Sequence, residues 1–208
     1  MKGRSMLAGT CRVAVTWGAL LCGLLVALAC QQQTGQPVAS EAGQNLDAAD
    51  ASIATLPHRV SLVDHARWER VSAEDDPAGD RPADVSCLPE ATTVELLGTE
   101  VTYGVETAHC NYLAVEQRTL VAVPAGATIA VRLWHFALSA KEPAQAHARV
   151  LVAGRVVLDE IVPIPSDGGL VTAELIADQP LAVGATVHFH LHNHGENTWA
   201  LVEISAAL

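Results

Sequence analysis

Three histidines stand at alternate positions, His188, His190 and His192, within the segment Thr-Val-His-Phe-His-Leu-His-Asn. Imidazole nitrogens bind transition metals or hydrogen-bond polar ligands. On a strand, alternate residues share a face, and Cα atoms at i and i+2 lie roughly 6.5 Å apart. Two such rings can meet on one ion at about 2.0–2.1 Å. The first and third histidines are roughly 13 Å apart, too far for an easy shared ion. A metal site would therefore use one neighbouring pair plus a ligand from elsewhere, such as His147, His135 or His194. Zinc or copper suits imidazole. Crowded imidazoles resist simultaneous protonation, so binding of this kind should weaken in acid.

Two further strands sort in the same way. Ile129, Val131 and Leu133 oppose Ala130, Arg132 and Trp134, while Ala148, Val150 and Val152 oppose His147, Arg149 and Leu151. If these strands share a sheet, Arg132, Trp134, His147, Arg149, His188, His190 and His192 form one polar face bordered by Trp199. Three uses compete for it. One is a plain solvated sheet surface. The leading functional reading is a non-catalytic small-ligand or carbohydrate site, in which Trp134 or Trp199 stacks on a sugar ring and the Arg and His side chains bond hydroxyls or a carboxylate. The third, its alternative, is zinc or copper binding by His188, His190 and His192, and a purely structural envelope component acting through protein contacts is a further alternative. The turn after the stripe, His-Gly-Glu-Asn-Thr-Trp, expects positive φ at Gly195 and backbone bonds from Asn193 or Asn197.

No constellation demands catalysis, and the expectation is a non-enzyme. GxSxG, HExxH, P-loop and GxGxxG patterns are all lacking. Asp159 and Glu160 are adjacent and so point to opposite faces of a strand, a poor start for a carboxylate pair. The formal charge of −11 argues against nucleic acid as a partner, because phosphate neutralisation needs a basic stripe.

The elements that must position these groups are short strands. Apolar, β-branched runs near 93–97, 101–106, 111–115, 119–123, 128–136, 147–152, 155–161, 170–175, 186–193 and 198–205 alternate with Gly, Pro and Asp punctuation. Ala153-Gly154 signals a tight hairpin. This pattern predicts an all-β fold, an antiparallel β-sandwich or jelly roll, over residues 87–208. A Gly-Ala-Thr triplet precedes both the 128–136 and the 186–193 runs, a weak internal echo. Cys87 and Cys110 are expected to form a disulfide, closing a loop worth roughly 3 kcal/mol on the chain-entropy model.

Upstream, Lys2, Arg4 and Arg12 precede an uncharged run from Val13 to Ala29 that ends in small residues, the pattern of a secretory signal. The run leads into Ala27-Leu28-Ala29-Cys30, which resembles the lipobox of bacterial lipoproteins, with Ala27 where that family more often has Leu. The resemblance implies cleavage before Cys30, lipidation of Cys30, and a membrane partner reached through the lipid anchor. Gln31 in place of Asp implies outer- rather than inner-membrane retention in the cell envelope. Plain secretion or an uncleaved anchor helix are the alternatives on the residues alone. The chain as a whole resembles uncharacterised bacterial β-sandwich lipoproteins, a likeness that implies no activity. The expected organisation is a signal peptide at 1–29, a flexible tether at 30–56 spanning roughly 30 Å as a coil, an acidic lead-in at 57–86, and the sandwich. Within the lead-in, 60–71 reads as a short helix or a strand. Residues 74–84 (EDDPAGDRPAD) read as a solvated loop without calcium-loop spacing.

Overall fold

The computed structural model describes residues 58–208. The signal, Cys30 and the tether lie outside the described residues. Among the described residues, no helix is long and apolar enough to cross a membrane.

Among the described residues, eleven strands follow in chain order: β1 (Arg59–Ser61), β2 (Glu69–Arg70), β3 (Thr92–Leu97), β4 (Glu100–Glu106), β5 (Tyr112–Arg118), β6 (Thr128–His135), β7 (Ala144–Val152), β8 (Arg155–Ile164), β9 (Gly169–Ile176), β10 (Thr186–Asn193) and β11 (Thr198–Ala207). They make two antiparallel sheets. One runs β3-β4-β11-β6-β9 with β1 beside β11, and the other runs β2-β5-β10-β7-β8. The β-sandwich expected from strand spacing is the fold.

Alternation builds its core. Val187, Phe189 and Leu191 of β10 point inward and are buried, as are Ile129, Val131 and Leu133 of β6 and Ala148, Val150 and Val152 of β7. Burying a side chain of the Val, Leu, Ile or Phe type contributes about 1.5–3 kcal/mol against exposure, so register is fixed by which parity is apolar. Trp199 of β11 is the largest fully buried side chain. The β7–β8 hairpin turns at Ala153 and Gly154, with φ of 51° and 76°, the left-handed pair that a two-residue turn requires. The internal echo has a structural meaning: Gly126 and Gly184 both have positive φ, 86° and 83°, and each launches an inner strand of its own sheet.

Several expectations need correction. Residues 119–123 are not a strand; after Arg118 the regular ladder ends, and the segment keeps isolated backbone hydrogen bonds, from Thr119 to Ala185, from Leu120 to Leu62 and across a single bridge between Val123 and Leu181. Residues 60–71 divide into β1, a single 3-10 turn (His65–Arg67) capped by Asp64, and β2. The shared polar face is split. Arg132 and Trp134 lie on β6, whereas His147, Arg149, His188, His190 and His192 lie on β7 and β10 of the opposite sheet. Side chains that turn outward from the two sheets of a sandwich point away from each other. Cys87 and Cys110 are joined by a disulfide that closes the segment containing β3 and β4.

Candidate metal centre

The outer surface of the β5-β10-β7-β8 ladder carries the chemistry. Register places His192 between Tyr112 and His147, His190 between Ala114 and Arg149, and His188 between Glu116 and Leu151. On β8, Asp159 sits directly beside Arg149. The short Ala114 side chain leaves room around the His190 ring, and Tyr112 packs edge-on against His190 and His192, with centroids 4.9 and 5.4 Å away. Val71, Tyr112 and Ala114 form a small apolar cluster apart from the main core.

Residues 74–84 fold over this surface instead of standing in solvent. Asp76 is the anchor: its side chain is only 2% exposed. The Tyr112 hydroxyl donates to Asp76 Oδ2 at 2.5 Å, Arg81 donates to the same oxygen at 3.0 Å, and the Ala78 N–H donates to Oδ1 at 3.0 Å. Arg149 donates to the Ala78 carbonyl at 3.0 Å, tying the loop to β7. The expected solvated run is therefore half right, since Glu74, Asp75 and Asp84 are exposed while Asp76 and Asp80 face inward. Tyr112 and Arg81 explain the difference, because each supplies a donor to a carboxylate taken out of water.

Anchored this way, the loop sets Asp80 against three imidazoles. Its carboxylate lies 3.0 Å from His147 Nδ1, 3.2 Å from His190 Nε2 and 3.4 Å from His192 Nδ1. The donor atoms of Asp80, His147 and His190 all fall within 4.8 Å of one another. The far side of His147 is held too: Nε2 is 2.6 Å from Asp159 Oδ1, and Asp159 Oδ2 is 3.3 Å from Arg149 Nε. For His190 and His192 the second ring nitrogen is buried without a hydrogen-bond partner. Asp80 is thus their shared polar anchor.

Electrostatics sharpens the picture. Burial pushes the His190 pKa down to about 4 against the opposing pull of Asp80 and Asp76, so the ring is neutral in mild acid. Burial would raise Asp80, but the hydrogen bond from His147 and the nearby His190 and His192 hold it below the usual carboxylate range. Asp76 is lowered likewise, burial being outweighed by Tyr112, the Ala78 N–H, Arg81 and His190. Tyr112 is raised by burial and by Asp76, so it remains a donor.

This donor set fits a borderline divalent ion. Tetrahedral zinc with ligands at about 2.0–2.1 Å places donor atoms roughly 3.3 Å apart. The imidazoles stand 3.0–3.4 Å from one or other Asp80 oxygen, and the Asp80, His147 and His190 donors lie within 4.8 Å of one another, so a modest closure around an ion completes the set. In the tautomer that donates from Nε2 to Asp159, His147 Nδ1 is free to ligate an ion beside Asp80; without an ion, a proton on Nδ1 makes the hydrogen bond to Asp80 instead. Two lone pairs at 3.0 Å repel unless a cation or a proton lies between them. A carboxylate that orients the distal N–H of a ligating histidine is the usual outer support of a metal site.

No family model matches the chain, and no curated relative matches it. Among solved structures, an apo-form cyclase from Fischerella sp. is similar at 8% identity over 76% of this chain and 90% of that one, with a TM-score of 0.40. The K1 cleaved adhesin domain of Lys-gingipain from Porphyromonas gingivalis W83 is similar at 14% identity over 72% and 96%, TM-score 0.39. A family 11 carbohydrate-binding module from Clostridium thermocellum is similar at 11% identity over 70% and 94%, TM-score 0.35. No residue role is carried over from them.

The remaining candidate residues lie elsewhere. His188 is on the same face but pairs with Glu116 at 3.0 Å, outside the cluster, so the three-histidine stripe does not act as one ligand set. His135 is buried against Trp199 in the other sheet. Trp199 is wholly enclosed and offers nothing to a ligand; its Nε1 donates to Asn193 Oδ1 at 3.3 Å. Gly195 is required for space and not for positive φ: a Cβ there would lie 2.7 Å from Ile164 and 2.8 Å from the Ser139 carbonyl. Arg132 is paired with Glu100 and Glu203, and Trp134 packs edge-on against Phe136. Asp80, Asp76, Tyr112 and Asp159 were not singled out as site residues by sequence. Nothing local marks Asp80 off from its acidic neighbours, and only the fold brings it to the histidines.

Proposed function

We propose that this protein is a non-catalytic metal-binding protein of the bacterial cell envelope, tethered through lipid on Cys30. It holds one zinc or copper ion on Asp80, His147 and His190, with His192 at the edge of the site. The observation that carries the reading is the convergence of Asp80, His147 and His190, whose ligand atoms all lie within 4.8 Å of one another, with Asp159 bonded to the far nitrogen of His147. The donors are two imidazoles and one carboxylate, with a third imidazole at the edge, which favours zinc or copper over the all-oxygen sets of calcium and magnesium. The envelope address rests on the signal and lipobox residues. Metal analysis of untagged protein tests the reading: about one equivalent of zinc or copper should be retained, and chelation should lower the melting temperature. Neither ion retained, with a melting temperature indifferent to both, would overturn it.

A second reading concerns the opposite sheet. Trp134 lies beside Leu170 in register and next to Phe136, with Arg132 on the same strand face. Such an apolar platform with a flanking guanidinium suits stacking on a sugar ring. Glycan screening with the Trp134→Ala variant tests it, and binding that survives the substitution counts against this face.

A further inference from the structure

A cleft of about 260 Å³ opens beside the proposed metal centre, lined by Asp80, Gln145, His147, Ile161, His192 and His194. His190, the deepest ligand, is not part of its wall. The imidazoles are graded from solvent inward: His194 is exposed, the His192 side chain is 15% exposed, and that of His190 is 2% exposed. The rings of His192 and His194 lie 4.5 Å apart between centroids, and His192 Nδ1 lies 3.4 Å from Asp80. A hydrogen-bonded turn presents His194. Its N–H donates to the Gln145 carbonyl at 3.3 Å, and Asn193 Nδ2 donates to the Gly195 carbonyl at 2.5 Å. Asn193 is in turn held by the buried Trp199.

We infer that His194 and His192 form a loading route for a divalent transition metal, with His194 as the capture ligand and His192 handing the ion on to Asp80, His147 and His190. The inference rests on the metal reading above. A hydrated ion exchanges its ligands one at a time. A nitrogen donor at the mouth of the cleft replaces a water before the buried set must close around the ion. The same donor accepts the ion on its way out. His194 is therefore a kinetic residue: it lowers the barrier in both directions and leaves the equilibrium unchanged, as any group acting only on the path must. The site is then suited to exchanging its ion and not to locking it away.

Zinc loading and removal are followed by stopped flow against a fluorescent zinc chelator, using the untagged protein and the His194→Ala and His194→Gln variants. Both variants should slow loading and removal alike, by roughly tenfold for a barrier change of about 1.4 kcal/mol, with zinc affinity unchanged. Unchanged rates overturn the route. A faster loss with unchanged loading also overturns it, because His194 would then be a resident ligand. His190→Ala serves as the separate control: it should abolish tight binding, and full binding in that variant would sink the metal reading itself.

Discussion

His147 and Asp80 face each other across 3.0 Å with the ring's other nitrogen already committed to Asp159 at 2.6 Å. This arrangement aims a ring nitrogen and a carboxylate at one point, and it rests on β7, β8 and the acidic loop together. Each of these supports can be removed separately.

Asp159→Asn keeps the shape of the side chain but weakens the charge-assisted bond that orients His147. Zinc or copper affinity should fall about 10- to 100-fold, as outer-sphere changes at metal histidines usually do. Isothermal titration against each ion checks this, and an affinity within error of the parent's contradicts the role given to Asp159.

Tyr112→Phe removes the donor to buried Asp76. A hydrogen bond to a charged acceptor contributes about 1.5–3 kcal/mol, so urea unfolding of the metal-free protein should show a loss of that order. Metal affinity should fall as well, because Asp80 depends on the loop that Asp76 anchors. A stability loss with metal affinity intact would mean that Asp80 reaches the histidines without that anchor.

Acid should destabilise the metal-free fold in two stages. His190 has a folded pKa of about 4 against an ordinary 6.5, so between those values the unfolded chain binds a proton that the folded chain refuses. Stability is therefore full above about pH 6.5 and declines as the pH falls toward 4, by on the order of 3 kcal/mol. His65, lowered by burial, acts in the same direction. Asp80 and Asp76, both depressed, contribute stability that is lost only below the ordinary carboxylate range near 3.8. Chemical unfolding across pH in the presence of chelator should show this decline, and His190→Gln should flatten its upper part.

Reducing the Cys87–Cys110 bond reopens a loop of sequence separation 23, for which the chain-entropy model gives roughly 3 kcal/mol. A lowered melting temperature under reductant, absent in a Cys87→Ala/Cys110→Ala double variant, would locate the effect in this bond.

Much of the fold was legible because the strands alternate cleanly. In β10 the apolar parity of Val187, Phe189 and Leu191 is unbroken, and the observed bounds of that strand are those read from sequence. What alternation cannot give is sheet membership. Arg132 and Trp134 obey the same rule as His147 and Arg149, yet β6 and β7 belong to different sheets, because the chain crosses over between them. Trp199 shows a second gap: an indole near polar residues reads equally as a ligand platform or as core, and only packing decides. Asp80 shows the third. A loop residue carries no periodicity, and its place over the histidines follows from distant partners, chiefly Tyr112 and Arg149.

The histidine cluster lies on the outside of its sheet, while the hydrophobic interior between the two sheets is complete without it. Zinc-finger domains unfold when stripped because the ion substitutes for a core. Here the packed core between the sheets is built from other residues, so the scaffold does not need a cation beneath the acidic loop to hold it together. On the proposed metal reading, repeated uptake and release would need no refolding, and the stripped form would stay competent for the next cycle.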